Sequence, residues 1–451
     1  MQKGSIIEIK LDDLAYGGDC VGHLDNGLAV FVSGGVPGDI IRGKVYKKKT
    51  NYIKAEILEI ISPSPDRIKP ECEVYDECGG CQLQQVDYAA QLKYKRKIVK
   101  ESLERIGKFT SVKVNEVIGS DFPWYYRNKA QIPLTLDEDS NIKAGFYRQG
   151  THEVIAAPEC LIQHQMINRI KKETIHLLNQ YELSVYNEKT HRGLLRHLLI
   201  RAGICTNQAL LTFITKEESF PEIEEIAKKL LEDIPELKGV LQNINPADTN
   251  VILGDKTKLI KGKDKYTEYT GFIKFEISPE SFFQINTLQT KKLYDYIKKF
   301  AHLSGQETVL DAYCGIGSIA LYLADKSKKV LGIEQNPAAV KDADHNAQIN
   351  KINNCDFIEG KVEDKLPELL KKGINPEVVV VDPPRKGLNN EFINKILSFT
   401  PEKIVYISCN PSTLARDLKK IHKQYEVKEI QPLDMFPQTY HIETVVNLSR
   451  R

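Results

Sequence analysis

Four short, almost wholly apolar segments constrain this chain most: TVLDAY (308–313), KVLGIE (329–334), VVVVDPP (378–384) and KIVYISC (403–409), each followed by a helical pattern. A strand without a polar face must be covered on both sides, and such strands alternating with helices specify a parallel sheet between helix layers. Residues 278–451 are therefore expected to form a doubly wound, Rossmann-like α/β domain, whose ligands collect at the carboxyl edge of the strands.

The remaining length implies further units, because 451 residues exceed one ordinary hydrophobic core. Residues 1–60 read as short strands broken by glycine turns (YGGDCVG, DNG, SGGVPGD), with apolar alternation in LAVFV and IKAEILEI. That pattern predicts a small β-barrel of the oligonucleotide-binding kind. SPSPDRIKP (62–70) breaks regular structure. Residues 61–277 then contain a cysteine-rich loop and a helix over 86–107 that stops at Gly107 and can pack on the C-terminal domain. A central α+β domain follows, with candidate strands RNKAQIPLTL, NIKAGFYR, HLLIRAG, QALLTFIT, GVLQNIN and GFIKFEI. No apolar run of about 18 residues and no secretory signal is present, so a cytoplasmic monomer without membrane contact is expected.

A net charge of +2 gives no global argument for a polyanionic partner. Local runs do. IRGKVYKKKTNYIK (41–54) sets Lys47, Lys48 and Lys49 among tyrosines, and QLKYKRKIVK (91–100) repeats the mixture. A single charge run is ordinarily solvated surface; two, beside the chemistry below, favour RNA.

The turn DAYCGIG (311–317) follows the first apolar strand and opens a helix. Gly315 and Gly317 would let the backbone approach a ligand, and Glu334, ending the next strand, could accept from ribose hydroxyls. This D-x-x-x-G-x-G pattern resembles the methyltransferase form of the fold, which implies S-adenosylmethionine, more than a dinucleotide fingerprint, whose third glycine is Ala320 here. Cys314 reads as a packing residue. Upstream, Gln284 and Asn286 offer neutral hydrogen-bonding groups, and Phe282 or Phe283 offers a stacking face.

Two other strands end in polar residues, Asp382 in DPPRKGL and Cys409 in SCNPSTLARDL, and both should open on the edge that bears the glycine turn. A cysteine near a helix N-terminus, with Arg385 or Arg416 nearby, can have its thiolate favoured. C5 of uracil is a poor nucleophile; addition of a thiolate to C6 makes it enolate-like, and after methyl transfer a base must remove the C5 proton so that the thiol is eliminated from C6 and the 5,6 double bond is restored. Glu443 in HIETV is the candidate base, with His441 its rival.

DPPRKGL, SCNPSTLARDL and HIETV, following DAYCGIGS, resemble the RNA uracil-5-methyltransferase family. The resemblance implies Cys409 as nucleophile, Glu443 as base, and Gln284, Tyr313, Glu334 and Asp382 as cofactor-binding positions. Cytosine-5 enzymes place a cysteine in the proline motif, which DPPR lacks. Amino-group methyltransferases carry an aromatic where Arg385 stands. A noncatalytic RNA-binding assembly factor would not need the Cys409, Asp382 and Glu443 set.

Cys72, Cys78 and Cys81 form C-x5-C-x2-C, with Cys160 a distant fourth. Four thiolates suit zinc or an iron–sulfur cluster. PECEVYDECGGCQLQ resembles the iron–sulfur loop of the family branch that acts on 23S ribosomal RNA, and the N-terminal barrel resembles that branch's TRAM domain; the resemblance implies a [4Fe–4S] cluster and no DNA partner. A tRNA enzyme of the family is expected to lack both barrel and cluster. Arg127, Lys129, Arg148, Arg196 and Arg201 are candidate phosphate contacts, and a single-stranded or looped RNA fits, because a base must leave its stack to be modified.

Overall fold

The computed structural model describes residues 2–451. Its C-terminal sheet has seven strands: β1 (Thr308–Ala312), β2 (Lys329–Glu334), β3 (Cys355–Glu359), β4 (Val378–Val381), β5 (Lys403–Ser408), β6 (Tyr425–Leu433) and β7 (Glu443–Arg450). Their order is β3-β2-β1-β4-β5-β7-β6. The first five are parallel, and β7 runs antiparallel between β5 and β6. Successive residues of the central strands feed opposite faces, so Leu310 and Val379 join one core while Val309 and Val380 join the other. The four apolar segments are β1, β2, β4 and β5. An apolar-run criterion passes over β3, half exposed at the sheet edge, and the β6/β7 pair, whose polar residues interrupt the run.

Residues Ile6–Ser62 build a six-stranded sheet around Ile7, Leu11, Val30, Ile41, Val45 and Ile53. The central sheet also has seven strands, with helices Gln165–Leu178 and Ile223–Asp233 supplying its core. GFIKFEI does not join it. Ile273–Ile277 pairs with Tyr266–Thr270, and this hairpin sends Tyr266, Ile273, Phe275 and Ile277 into the C-terminal core. Val114 and Ile118 likewise bridge to Ile430 and Leu433 on β6. Two pieces of the 61–277 span thus lie with the C-terminal sheet.

The expected helix runs Tyr88–Ser102, capped by the Asp87 carboxylate, and continues as a π turn through Leu103–Gly107. It does end there, but the left-handed residue is Lys108 rather than glycine. Ala90, Tyr94 and Ile98 enter the barrel core, whereas Val99 and Leu103 enter the C-terminal core. One helix therefore serves two units. No helix among the described residues is long and apolar enough to cross a membrane.

Candidate active site

Strand register brings the two chemical candidates together. β5 and β7 are antiparallel with Ser408 opposite Thr444, so Cys409, one residue past the pair, and Glu443, one residue before it, face each other at the carboxyl edge. Parallel pairing of Ala312 with Val381, and of Val381 with Tyr406, sets Tyr313 and Asp382 on the same edge. Asn410 caps helix Pro411–Ile421 by accepting from the Ser412 and Thr413 N–H groups.

The resting electrostatics oppose one expectation. Burial, reinforced by the Glu443 and Asp382 carboxyls, pushes the Cys409 thiol up to about 12, and Arg385 only partly offsets this. The helix N-terminus gives little help because Asn410 occupies it. Arg416 is turned away, onto Asp417 (2.8 Å) and the Lys386 carbonyl (2.9 Å). The thiolate is therefore not favoured in the resting protein. Burial, then Asp382, also raises Glu443 well above the carboxylate range, and its buried Oε1 has no hydrogen-bond partner among the described residues. His441 is pushed down to about 4 by burial and Arg385, whose Nη2 lies 3.3 Å from His441 Nε2. It is the poorer base of the two candidates.

The glycine turn separates two roles that its sequence merges. Gly315 has φ of 55°, and a Cβ there would meet nothing within 4 Å. That open face suits an approaching ligand. Gly317, at φ 79°, is instead packed: a Cβ would lie 2.7 Å from the Phe357 ring. Tyr313 also takes a left-handed conformation, with φ of 76°. Glu334 accepts from the N–H groups of Gly315 (3.1 Å) and Asn336 (2.8 Å), so its carboxylate is fixed beside the turn. Cys314 is buried and packs under Gly332, as a packing residue should. Gln284 is buried, and Asn286 is occupied as the cap of helix Thr287–Ala301. Phe283 is internal, leaving Phe282, 68% exposed, as the available stacking face.

Beneath the turn, Asp311 is wholly buried; its Oδ2 accepts from the Ala320 N–H at 2.9 Å and its Oδ1 has no partner among the described residues. Burial, then Asp382, pushes its carboxyl up to about 7. A carboxyl raised by folding contributes its full stability below the unfolded value near 4 and loses it as pH rises through about 7. Asp311→Asn, which can keep the bond to Ala320, should match the parent's stability near pH 4 and exceed it by about 2–4 kcal/mol at pH 8. Thermal unfolding at the two pH values measures this; an equal difference at both would show that the carboxyl's charge carries no such cost.

The four cysteines converge. Cys72, Cys78, Cys81 and Cys160 line a single cavity together with Tyr75, Phe146 and Ile162. All four are free thiols, and burial raises Cys72 and Cys78 and pushes Cys81 up to about 12. Among the described residues no three His, Cys, Asp or Glu side chains are grouped so as to hold a single metal ion. The loop is bound on its other side to the turn between β6 and β7 that leads to Glu443: the N–H groups of Gln82 and Leu83 both donate to the Gln438 carbonyl at 3.0 Å.

The basic candidates divide sharply. Lys47, Lys48 and Lys49 are exposed at the end of strand Ile40–Lys48. Arg201 is 1% exposed and donates to the carbonyls of Pro279 and Ser281. Arg196, also buried, donates to the Asn245 and Ala247 carbonyls. Neither can reach a phosphate. Arg127 lines the cysteine cavity, Arg148 is tied to Glu77 and Glu153, and burial with Arg201 nearby pushes Lys129 down to about 8. In the second basic run Lys95 is fully buried against Asp434 at 2.6 Å, while Arg96 pairs with Glu116 and Lys97 with Asp13. Of that run's cations only Lys95 is internal; Lys93, Lys97 and Lys100 are exposed and line a surface pocket with Arg96 and Lys113.

The profile described as tRNA (Uracil-5-)-methyltransferase matches residues 87–451, and that of the TRAM domain matches residues 1–58. An uncharacterized RNA methyltransferase of Halalkalibacterium halodurans is 43% identical over 449 residues, 99% of this chain and 98% of that protein. One from Clostridium acetobutylicum is 43% identical over 453 residues, 100% of this chain and 98% of its own. Among solved structures, the Pyrococcus abyssi tRNA (uracil-54, C5)-methyltransferase in complex with S-adenosyl-L-homocysteine has a TM-score of 0.77 at 28% identity, covering 98% of this chain and 100% of that one. Matched by one family profile from the shared helix to the last strand, and by RNA methyltransferases end to end, the chain belongs to the tRNA (uracil-5-)-methyltransferase family and is an S-adenosylmethionine-dependent RNA methyltransferase.

Proposed function

We propose that this enzyme methylates C5 of one or two uridines in 23S ribosomal RNA, with Cys409 as nucleophile toward C6 and Glu443 as the base that removes the C5 proton. The observation that carries the reading is the opposed placement of Cys409 and Glu443 fixed by the β5–β7 register. S-adenosylmethionine, when bound, supplies an electrophilic methyl group. The residues fit it: Gly315 leaves open space at the strand edge, Glu334 is held as an acceptor, and Tyr313, Gly317 and Asp382 lie in or beside the same turn; Gln284 is carried as a cofactor position by the resemblance alone. Burial that raises Glu443 also makes its carboxylate a stronger base, as proton removal from carbon requires.

The cysteine cavity fits a [4Fe–4S] cluster through its donor set, four thiols facing one space and none in a disulfide. Such a cluster would supply a cross-link between the loop 72–81 and Cys160. Lys47, Lys48, Lys49 and the exposed Phe282 are proposed RNA contacts, the lysines for phosphate and the ring for a base.

For ribosomal RNA the support is the cysteine loop with its resemblance to the 23S branch. The barrel does not separate the substrates, because the Pyrococcus abyssi enzyme named for tRNA aligns over 98% of this chain. A tRNA target is the second reading for that reason. Mass-spectrometric mapping of 5-methyluridine in both RNAs, from cells with and without the gene, decides: loss from 23S RNA is expected, and loss from tRNA alone would overturn the ribosomal assignment.

A further inference from the structure

The turn Ala15–Asp19 of the N-terminal barrel reaches the edge of the C-terminal sheet. It is held by its own bonds, Gly18 N–H to the Ala15 carbonyl (3.1 Å) and Ala15 N–H to the Asp19 carbonyl (2.9 Å), and Lys54 anchors Asp19 at 2.8 Å. Gly18 is packed so closely that a Cβ would lie 2.8 Å from Gln82 Cβ and 3.6 Å from the Tyr440 ring. The turn presents Tyr16. Its hydroxyl donates to the main-chain carbonyl of Cys409 at 3.2 Å, and its ring meets Tyr440 edge-on, centroids 5.3 Å apart. Tyr440 in turn lies against His441, centroids 4.1 Å apart, two residues before Glu443.

The β5–β7 ladder ends at Ser408 and Thr444, so the Cys409 carbonyl lies beyond the last strand pair. Main-chain groups past a ladder need another partner to be held in one orientation. Tyr16 is such a partner, and it touches the segments that carry both chemical candidates.

We infer that Tyr16 is a positioning residue for methyl transfer: through the Cys409 carbonyl and the Tyr440 ring it fixes the loop that presents the Cys409 thiol, making the barrel part of the reaction site. The inference rests on the reading of Cys409 as nucleophile.

The test uses the whole chain and whichever unmodified transcript, ribosomal or transfer RNA, the wild type methylates. Tyr16→Phe keeps the ring and removes the hydrogen bond; Tyr16→Leu removes both contacts. At saturating RNA, kcat should fall about fivefold to tenfold in Tyr16→Phe, the scale of one lost hydrogen bond, and further in Tyr16→Leu. The KM for RNA should stay within about twofold in Tyr16→Phe. With 5-fluorouridine RNA, which has no C5 proton to lose, the covalent adduct should form more slowly by the same factor as kcat. Wild-type kcat in both variants, or a raised KM with kcat unchanged, would overturn the inference, the latter by showing that Tyr16 holds RNA. Normal methylation by Cys409→Ala would instead bring down the Cys409 reading and the Tyr16 inference with it; slow variants alongside an inactive Cys409→Ala leave both standing.

Discussion

Cys409→Ala is expected to lose turnover on the order of 10⁴-fold or more, the scale on which removal of a nucleophile acts, and to form no covalent RNA complex while still binding S-adenosylmethionine. Glu443→Gln should lose turnover comparably but accumulate a methylated protein–RNA adduct, visible as a retarded band in denaturing gels. Glu443 is buried, and burial raises its carboxyl well above the ordinary range, so the near-isosteric glutamine replaces it with little change in shape. The asymmetry is the content of the prediction: a generally damaged site would stop both variants without trapping anything. Because burial raises the Cys409 thiol to about 12, adduct formation in the wild type should quicken from pH 7 to pH 9 as the thiolate fraction grows. Substantial methylation by Cys409→Ala would remove it as nucleophile. A folded, RNA-binding Glu443→Gln without adduct would move the base elsewhere, and His441, held low near 4, would then need another source of basicity.

The second large effect concerns the cysteine cavity. Protein purified anaerobically should contain iron and sulfide in near-equal amounts, and Cys81→Ala should lose both. Cys81 precedes Gln82 and Leu83, whose N–H groups hold the Gln438 carbonyl, so loss of the group should loosen the loop that leads to Glu443. A destabilisation of about 3 kcal/mol, a fall in Tm of roughly 10 °C, is expected together with lower soluble yield. Stoichiometric zinc without sulfide in the wild-type protein would sink the cluster assignment. Unchanged Tm in an iron-free Cys81→Ala would show that the loop needs no cross-link.

Much of the C-terminal domain is legible in the sequence because fully buried strands leave no ambiguity of face: VVVV can only be a covered strand. The partners Cys409 and Glu443 are legible as residue types, whereas their opposition is not, since it depends on an antiparallel register between segments whose polar residues hide the strand pattern. Charge was the least informative signal. Lys95, Arg196 and Arg201 read as surface cations, yet each is buried on a partner supplied by tertiary structure: Asp434 for Lys95, main-chain carbonyls for the arginines. Tyr16 carries an aromatic-before-glycines signal in YGGDC, but nothing in local spacing links it to a residue 393 positions away. The hairpin Tyr266–Ile277 was misplaced for a similar reason: its alternation specifies a half-buried ribbon without saying which core it covers.

The Lys95–Asp434 pair, fully buried and joining positions 339 residues apart, has a consequence for how the protein is made. Lysine cannot be enclosed without its carboxylate except at a cost of several kcal/mol. The helix that carries it therefore cannot settle until Asp434 has been synthesised and brought to it. Tyr126, bonded to the Pro437 carbonyl at 3.0 Å, imposes the same delay on the start of the central unit. Contacts this distant in sequence close slowly and leave apolar surface exposed meanwhile. The segment leading to Glu443 is thus the clasp of the folded molecule: a chain cut before Asp434 would forfeit the anchorage of the helix that carries Lys95 as well as β7.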